Sequence, residues 1–385
     1  MQLLRRVVRP GIFIGLLVCD VCLGATGIEI EDVRGDDVGA GGIVYPDRDD
    51  FAPGDLDLVS FAAEPATDGV WFEASFANPI RSPRGRVVGL GPEPVDRYAR
   101  LGFYTFNLDI YIDQDGIVGS GNTATVPGRQ AAVDTRYAWE KAVILTPRPT
   151  EARTLLEGYF ERTLEEQKRA VEGRVSAEEL AAIRASVKAR VGDAFYFPSD
   201  VRVQKQTIRF FVPASYLGAG FNESWRYVVL VTGAEIEQNM HLIGKSSQGF
   251  TLMMMPVSVG RPRDRFGLQR DADGGQPPIV DLLTPEPGLQ QRILSNYNIV
   301  TGQLATLPGV PSKAIKPEPG PGRTFTPSPR ESDIDDLLNA SPVPAQQSSG
   351  RSIAERLRNL NQLKNEGLVS DEEYKQLREK ILSEI

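Results

Sequence analysis

The chain is poor in the residues on which much enzyme chemistry depends. Of its 385 residues two are cysteine, Cys19 and Cys22, and one is histidine, His241. Both cysteines lie in the opening MQLLRRVVRPGIFIGLLVCDVCLGA, where Arg5, Arg6 and Arg9 precede an apolar run from Ile12 to Val18 and small residues at Gly24 and Ala25. That is the layout of a secretory signal peptide, so residues 1–25 are expected to be removed on export to a periplasmic or extracellular location. The mature chain then has no thiol, which excludes disulfides, cysteine nucleophiles and thiolate metal sites. A lone histidine in EQNMHLIG makes no histidine-rich metal centre, and no GxSxG, Walker A or HExxH spacing occurs. Long apolar runs are missing too: the leader's run falls short of the roughly 20 residues that span a bilayer, and Asp20 interrupts it. Valine rather than a small residue precedes each cysteine, which argues against a lipid anchor. Basic excess is also absent. The formal net charge of −8 becomes about −10 without the leader, so nucleic acid is not an expected partner.

Glycine and proline, by contrast, are plentiful at 37 and 28, and with 41% hydrophobic residues they point to a loop-rich β protein. Between residues 55 and 145 the periodicity is two. VWFEASF puts Val70, Phe72, Ala74 and Phe76 on one face and Trp71, Glu73 and Ser75 on the other. YTFNLDIYID sets Tyr104, Phe106, Leu108, Ile110 and Ile112 against Asn107, Asp109, Tyr111 and Asp113. VRVQKQTIRFFVP and WRYVVLVTGA resume the strand pattern after residue 200. An antiparallel β-sandwich accommodates these strands.

A helical insertion over 150–193 separates the two blocks. It carries an i, i+4 pair at Glu165 and Arg169, a break near Gly173 and a capping box at Ser176 and Glu179, which together predict a solvated hairpin of two helices. Residues 311–350 are dense in Pro, Ser and Gly and read as a disordered tether. Beyond it, 352–385 form two short amphipathic helices. Ile353, Leu357, Leu360 and Leu363 face Tyr374, Leu377 and Ile381 across Gly367. About thirty residues cannot hold a core alone, so this hairpin is expected to pair with a copy of itself or another partner.

Two stretches carry family likenesses. LRNLNQLKNEGLVSDEEYKQLREKIL resembles the short C-terminal domain called SHOCT, which implies an oligomerisation or interaction module without catalytic residues. GDDVGAGGIVYPDRDDFAPGDLDL, Asn78-Pro79, LDIYIDQDG, VPGRQA, Trp139, IRFFVPASYLG and PPIVDLLTP occur in that order over 28–310 and resemble the C-terminal binding module of glucodextranase. The likeness implies a DOMON-like β-sandwich related to carbohydrate-binding modules and surface-layer-like proteins.

Candidate sites follow from strand parity and loop chemistry. Sugars stack on exposed aromatic rings flanked by groups that bond hydroxyls. Trp71 with Glu73, and Tyr111 with Asn107 and Asp109, fit that need if their faces are outward. Trp139 and Trp225 suit a core equally well. Calcium takes carboxylates and loop carbonyls, and Asp36 with Asp37 in the glycine-rich loop, and Asp113 with Asp115 in IDQDG, are its candidates. The same aspartates serve as turn formers without metal. Three classes stay open: an exported, non-catalytic protein binding carbohydrate or envelope polymer, a structural or assembly protein of the envelope without a glycan ligand, and a cryptic carboxylate-based glycoside hydrolase.

Overall fold

Alternating apolar residues require each strand to bury one face, and a sandwich lets two such faces cover each other. The computed structural model describes residues 27–87, 94–236, 252–260, 263–268, 275–298 and 301–311. In chain order the elements are β1 (Ile28–Glu31), β2 (Ile43–Val44), β3 (Leu58–Ala66), β4 (Gly69–Phe76), β5 (Phe106–Asp113), β6 (Ala131–Val133), β7 (Lys141–Leu145), α1 (Pro149–Glu172), α2 (Ala177–Ala194), β8 (Phe195–Tyr196), β9 (Val201–Gln204), β10 (Thr207–Pro213), α3 (Ala214–Leu217), β11 (Arg226–Gly233), β12 (Val257–Val259), β13 (Phe266–Leu268), β14 (Asp281–Leu282), α4 (Leu289–Ser295), β15 (Ala305–Leu307) and β16 (Val310–Pro311). The fold is mainly β. The expected leader, most of the expected tether, the predicted C-terminal hairpin and His241 lie outside the described residues.

Two sheets form the sandwich. The first runs β1-β3-β4-β10-β9 and is antiparallel throughout, while the second runs β14-β11-β5-β7-β8 with β16 also on β11. Their facing sides share one core: Phe61, Phe72 and Phe210 meet Phe106, Ile110, Tyr227 and Val229, all at most 1% exposed. Phe61 and Phe72 each lie edge-on to Tyr227, with ring centroids 5.3 and 6.3 Å apart, which locks the sheets in register.

The predicted helical hairpin is present, but it is a third layer rather than a solvated arm. Gly173 ends α1 in the left-handed region at φ 77°, and Ser176 with Glu179 closes the capping box of α2. Leu155, Leu156, Phe160, Val187 and Val191 then bury against the far side of the second sheet, packing on Trp139, Ala142, Ile144 and Val228. The surface charge that suggested a solvated hairpin occupies the other sides of the same helices. Five buried residues on α1 suffice to dock it.

This third layer corrects one sequence expectation. All eight residues of β5 are buried, on both faces. Asn107, Asp109, Tyr111 and Asp113 alternate with the apolar set as parity requires, yet their face is covered by the helical layer and the loops beneath it rather than by solvent.

Candidate functional site

The outward face of the first sheet is built by β4, β10 and β9. Pairing sets Trp71 opposite Phe211, Glu73 opposite Arg209 and Arg209 opposite Arg202. Trp71 and Phe211 lie 5.3 Å apart between ring centroids. The Arg202 and Arg209 guanidiniums sit over the Trp71 ring at 4.7 and 5.1 Å. Arg209 is held by Glu64 of β3 at 2.5 Å, whereas the Arg202 side chain is 69% exposed and reaches Asp200 only at 4.0 Å. Gly69 makes room for the patch. A Cβ there would lie 2.5 Å from the Phe211 ring and 2.3 Å from the Val212 carbonyl. The result is a half-buried aromatic pair rimmed by both cations and carboxylates, a surface that offers stacking beside donors and acceptors. Trp71 and Glu73 therefore share one outward, half-buried side of the sheet, and the same parity in IRFFVP identifies Phe211 and Arg209, which the sequence reading passed over.

The other carbohydrate candidates lie elsewhere and are committed to structure. Asp109 takes a two-pronged ion pair from Arg129, Nε at 2.7 Å and Nη2 at 3.0 Å, with both side chains fully buried. Tyr111 donates to Asp109 and accepts from the Val126 amide at 2.9 Å. Asn107 donates to Thr232 and to the carbonyls of Gly233 and Met253. Burial and the Asp109 charge hold the Tyr111 hydroxyl well above its usual pKa. Asn107, Asp109 and Tyr111 are thus interior polar anchors, not an exposed binding face.

The candidate calcium residues divide between two carboxylate groups. In the first, oxygens of Asp36, Asp57 and Asp281 lie within 4.8 Å of one another. The glycine-rich loop supplies Asp36, the start of β3 is preceded by Asp57, and β14 supplies Asp281. Asp32 stands beside them. Its Oδ1 accepts from the amides of Val33 and Thr284 at 2.9 and 2.8 Å. Burial pushes Asp32 up to about 8, Asp36 up to about 7 and Asp57 up to about 6, with neighbouring aspartates adding to each, and it holds Asp281 well above the usual carboxylate range. Asp37 has a different use. It accepts from the Tyr45 hydroxyl and from the Gly54 amide at 2.7 Å, so it clamps the loop instead of joining the group.

The second group joins Asp113, Asp115 and Glu140. Arg226 on the neighbouring strand β11 is ion-paired with Asp113 and supplies a counter-charge. Asp113 and Asp115 cap their own turn, accepting from the Gly116 and Ile117 amides at 2.8 and 2.7 Å. Glu140 accepts from Gln114 at 2.7 Å, and burial lifts its carboxyl to about 7. Trp139 and Trp225 are core residues at 0% and 2% exposure. Sequence reasoning missed Asp57, Asp281 and Glu140. The usable signal was an acid set inside an apolar run, as in IVDLL, where a solvated residue is out of place.

No curated protein matches the chain. The family model of the C-terminal binding module, SLH-like, of glucodextranase matches residues 28–309. That match takes in both sheets, the helical layer and the outward Trp71 face, and the chain belongs to this family.

Proposed function

We propose that the protein is an exported, non-catalytic binding protein that holds carbohydrate or envelope polymer on the outward face of its first sheet. The observation that carries this reading is the Trp71–Phe211 pair, half-exposed and bordered by Arg202, Arg209, Glu64 and Glu73, on a member of a binding-module family. A pyranose stacks on an aromatic face and satisfies its hydroxyls with flanking charged groups. Arg202 is the exposed guanidinium over Trp71, so it is the one a sugar displaces, while Arg209 stays with Glu64.

Export through the leader places the module in the periplasm or outside the cell, and the SHOCT-like hairpin at 352–385 gathers copies of the chain or docks a partner. Several weak sites presented together retain a polymer far better than one, provided the tether spans them.

The test is retention of the purified protein on a panel of insoluble polysaccharides and isolated cell envelope. Retention that Trp71→Ala reduces at least tenfold supports the stacking site. Envelope capture that survives Trp71→Ala but is lost on deleting 352–385 favours an assembly role instead. Hydrolysis of any polymer in the panel would contradict the non-catalytic reading.

A further inference from the structure

We infer that Asp36, Asp57 and Asp281 form a divalent-cation site, selective for calcium, that ties the glycine-rich loop to the edge of the second sheet. The site is independent of the glycan face. Its ligands come from three places distant in sequence, and their oxygens converge within 4.8 Å of one another. Three protein carboxylates converging on one point suit calcium, which takes roughly six to eight oxygen ligands in flexible geometry, better than magnesium, which keeps several waters beside one or two carboxylates.

The hydrogen bonds prepare the carboxylates for such an ion. Asp57 is 3% exposed; its Oδ2 accepts from the Gly35 amide at 2.8 Å, and its buried Oδ1 has no partner. Asp36 Oδ1 and Asp32 Oδ2 are likewise buried and unpartnered. Asp281 accepts from Leu58 at 2.6 Å and Leu282 at 2.8 Å, one bond to each oxygen, which leaves a lone pair on each. Asp57 and Asp281 are thus aimed by backbone N–H groups while acceptor capacity remains. An unsatisfied buried oxygen is costly, and in Asp57 it sits among other carboxylates. Arg34, whose charge bears on Asp57, is exposed and does not play the part that Arg226 plays for Asp113. All ligands are oxygens, which suits a hard cation rather than zinc or copper. Asp36 is only half-buried and gives the ion a way in.

The experiment uses the full chain, stripped with chelator and free of any glycan. Calcium chloride, magnesium chloride and manganese chloride are titrated calorimetrically, and thermal unfolding is followed in each. The expected result is calcium binding with a rise in Tm, weakened at least tenfold in Asp57→Asn and in Asp36→Asn. Asp115→Asn, in the second carboxylate group, keeps the wild-type affinity. Asp36→Asn alters a half-exposed residue and serves if Asp57→Asn does not fold. No calcium binding by the stripped wild type, or binding lost in Asp115→Asn and retained in Asp36→Asn, overturns the assignment. So does a Tm that rises in Asp36→Asn to the same value with chelator and with calcium, since the acids would then be a protonated cluster relieved by an amide. Because no polysaccharide is present, failure here leaves the Trp71 reading untouched.

Discussion

At the scale of single residues, interior charge divides into groups with a partner and groups without one. Asp109 and Arg129 are each fully buried and satisfy one another, so removing either leaves an uncompensated charge in the core. Asp109→Ala is expected to cost about 3–5 kcal/mol, read as a lower denaturation midpoint. The double change Asp109→Leu with Arg129→Met should recover most of that loss, because a buried pair contributes little net stability over well-packed apolar residues. Glu140 makes a different prediction. Its carboxyl is lifted from 4.5 to about 7, chiefly by burial, with Asp115 and Asp113 adding to it. The folded protein therefore keeps a proton that the unfolded chain gives up. The resulting stabilisation is complete below about pH 4.5 and is lost as pH rises through 7. Tm should fall from pH 5 to pH 8 more steeply in the wild type than in Glu140→Gln, and equal slopes would remove Glu140 from the explanation.

At the scale of elements, the helical hairpin decides how β5 is used. Its own formation is local: the capping box at Ser176 satisfies amides at the start of α2, and Gly173 supplies the left-handed residue that ends α1. Ser176→Ala should cost about 1 kcal/mol in chemical denaturation, with the fold retained. Its docking is tertiary. Phe160 is 4% exposed between α1 and the second sheet, so Phe160→Ala should cost about 3–5 kcal/mol and loosen the cover over Tyr111 and Trp139. Near-ultraviolet circular dichroism of the tryptophans would report that loosening, and an unchanged spectrum would mean the layer is held mainly by other contacts. Gly69 in β4 belongs to this scale as well. A side chain there meets the Val212 carbonyl and the Phe211 ring, so Gly69→Val should disturb the aromatic patch and lower retention on polymer without touching Trp71.

At the scale of the whole molecule, stretches far apart in sequence converge on interior anchors. VPGRQA contributes Arg129 to Asp109 of LDIYIDQDG, and PPIVDLLTP brings Asp281 to the glycine-rich loop near residue 36. The stretch GDDVGAGGIVYPDRDDFAPGDLDL, so dense in glycine and acid, is where Asp36 and Asp57 join that group while Asp37 clamps the chain through Tyr45 and Gly54. If residues 352–385 gather copies, retention on polymer should rise with protein concentration in the full chain and lose that dependence when they are deleted, as sedimentation alongside the pull-down would show.

Much of this was legible in the linear chain because it depends on neighbours. A period of two assigned the faces of β4 and β5, and capping and glycine signals located α1 and α2. Parity likewise put Trp71 and Glu73 on one side, since a strand turns alternate side chains to opposite faces whatever surrounds it. What parity cannot say is whether a face meets water. That was decided by tertiary packing: the first sheet keeps one side open around Trp71, while the helical layer closes over Asn107, Asp109 and Tyr111. The grouping of Asp36 with Asp57 and Asp281, and the use of Asp37 as a clamp on Tyr45 and Gly54, were decided in the same way. Residues more than two hundred positions apart meet only after two sheets and a helical layer have packed, and it is their shared exclusion of water, not their spacing, that gives those carboxylates their character.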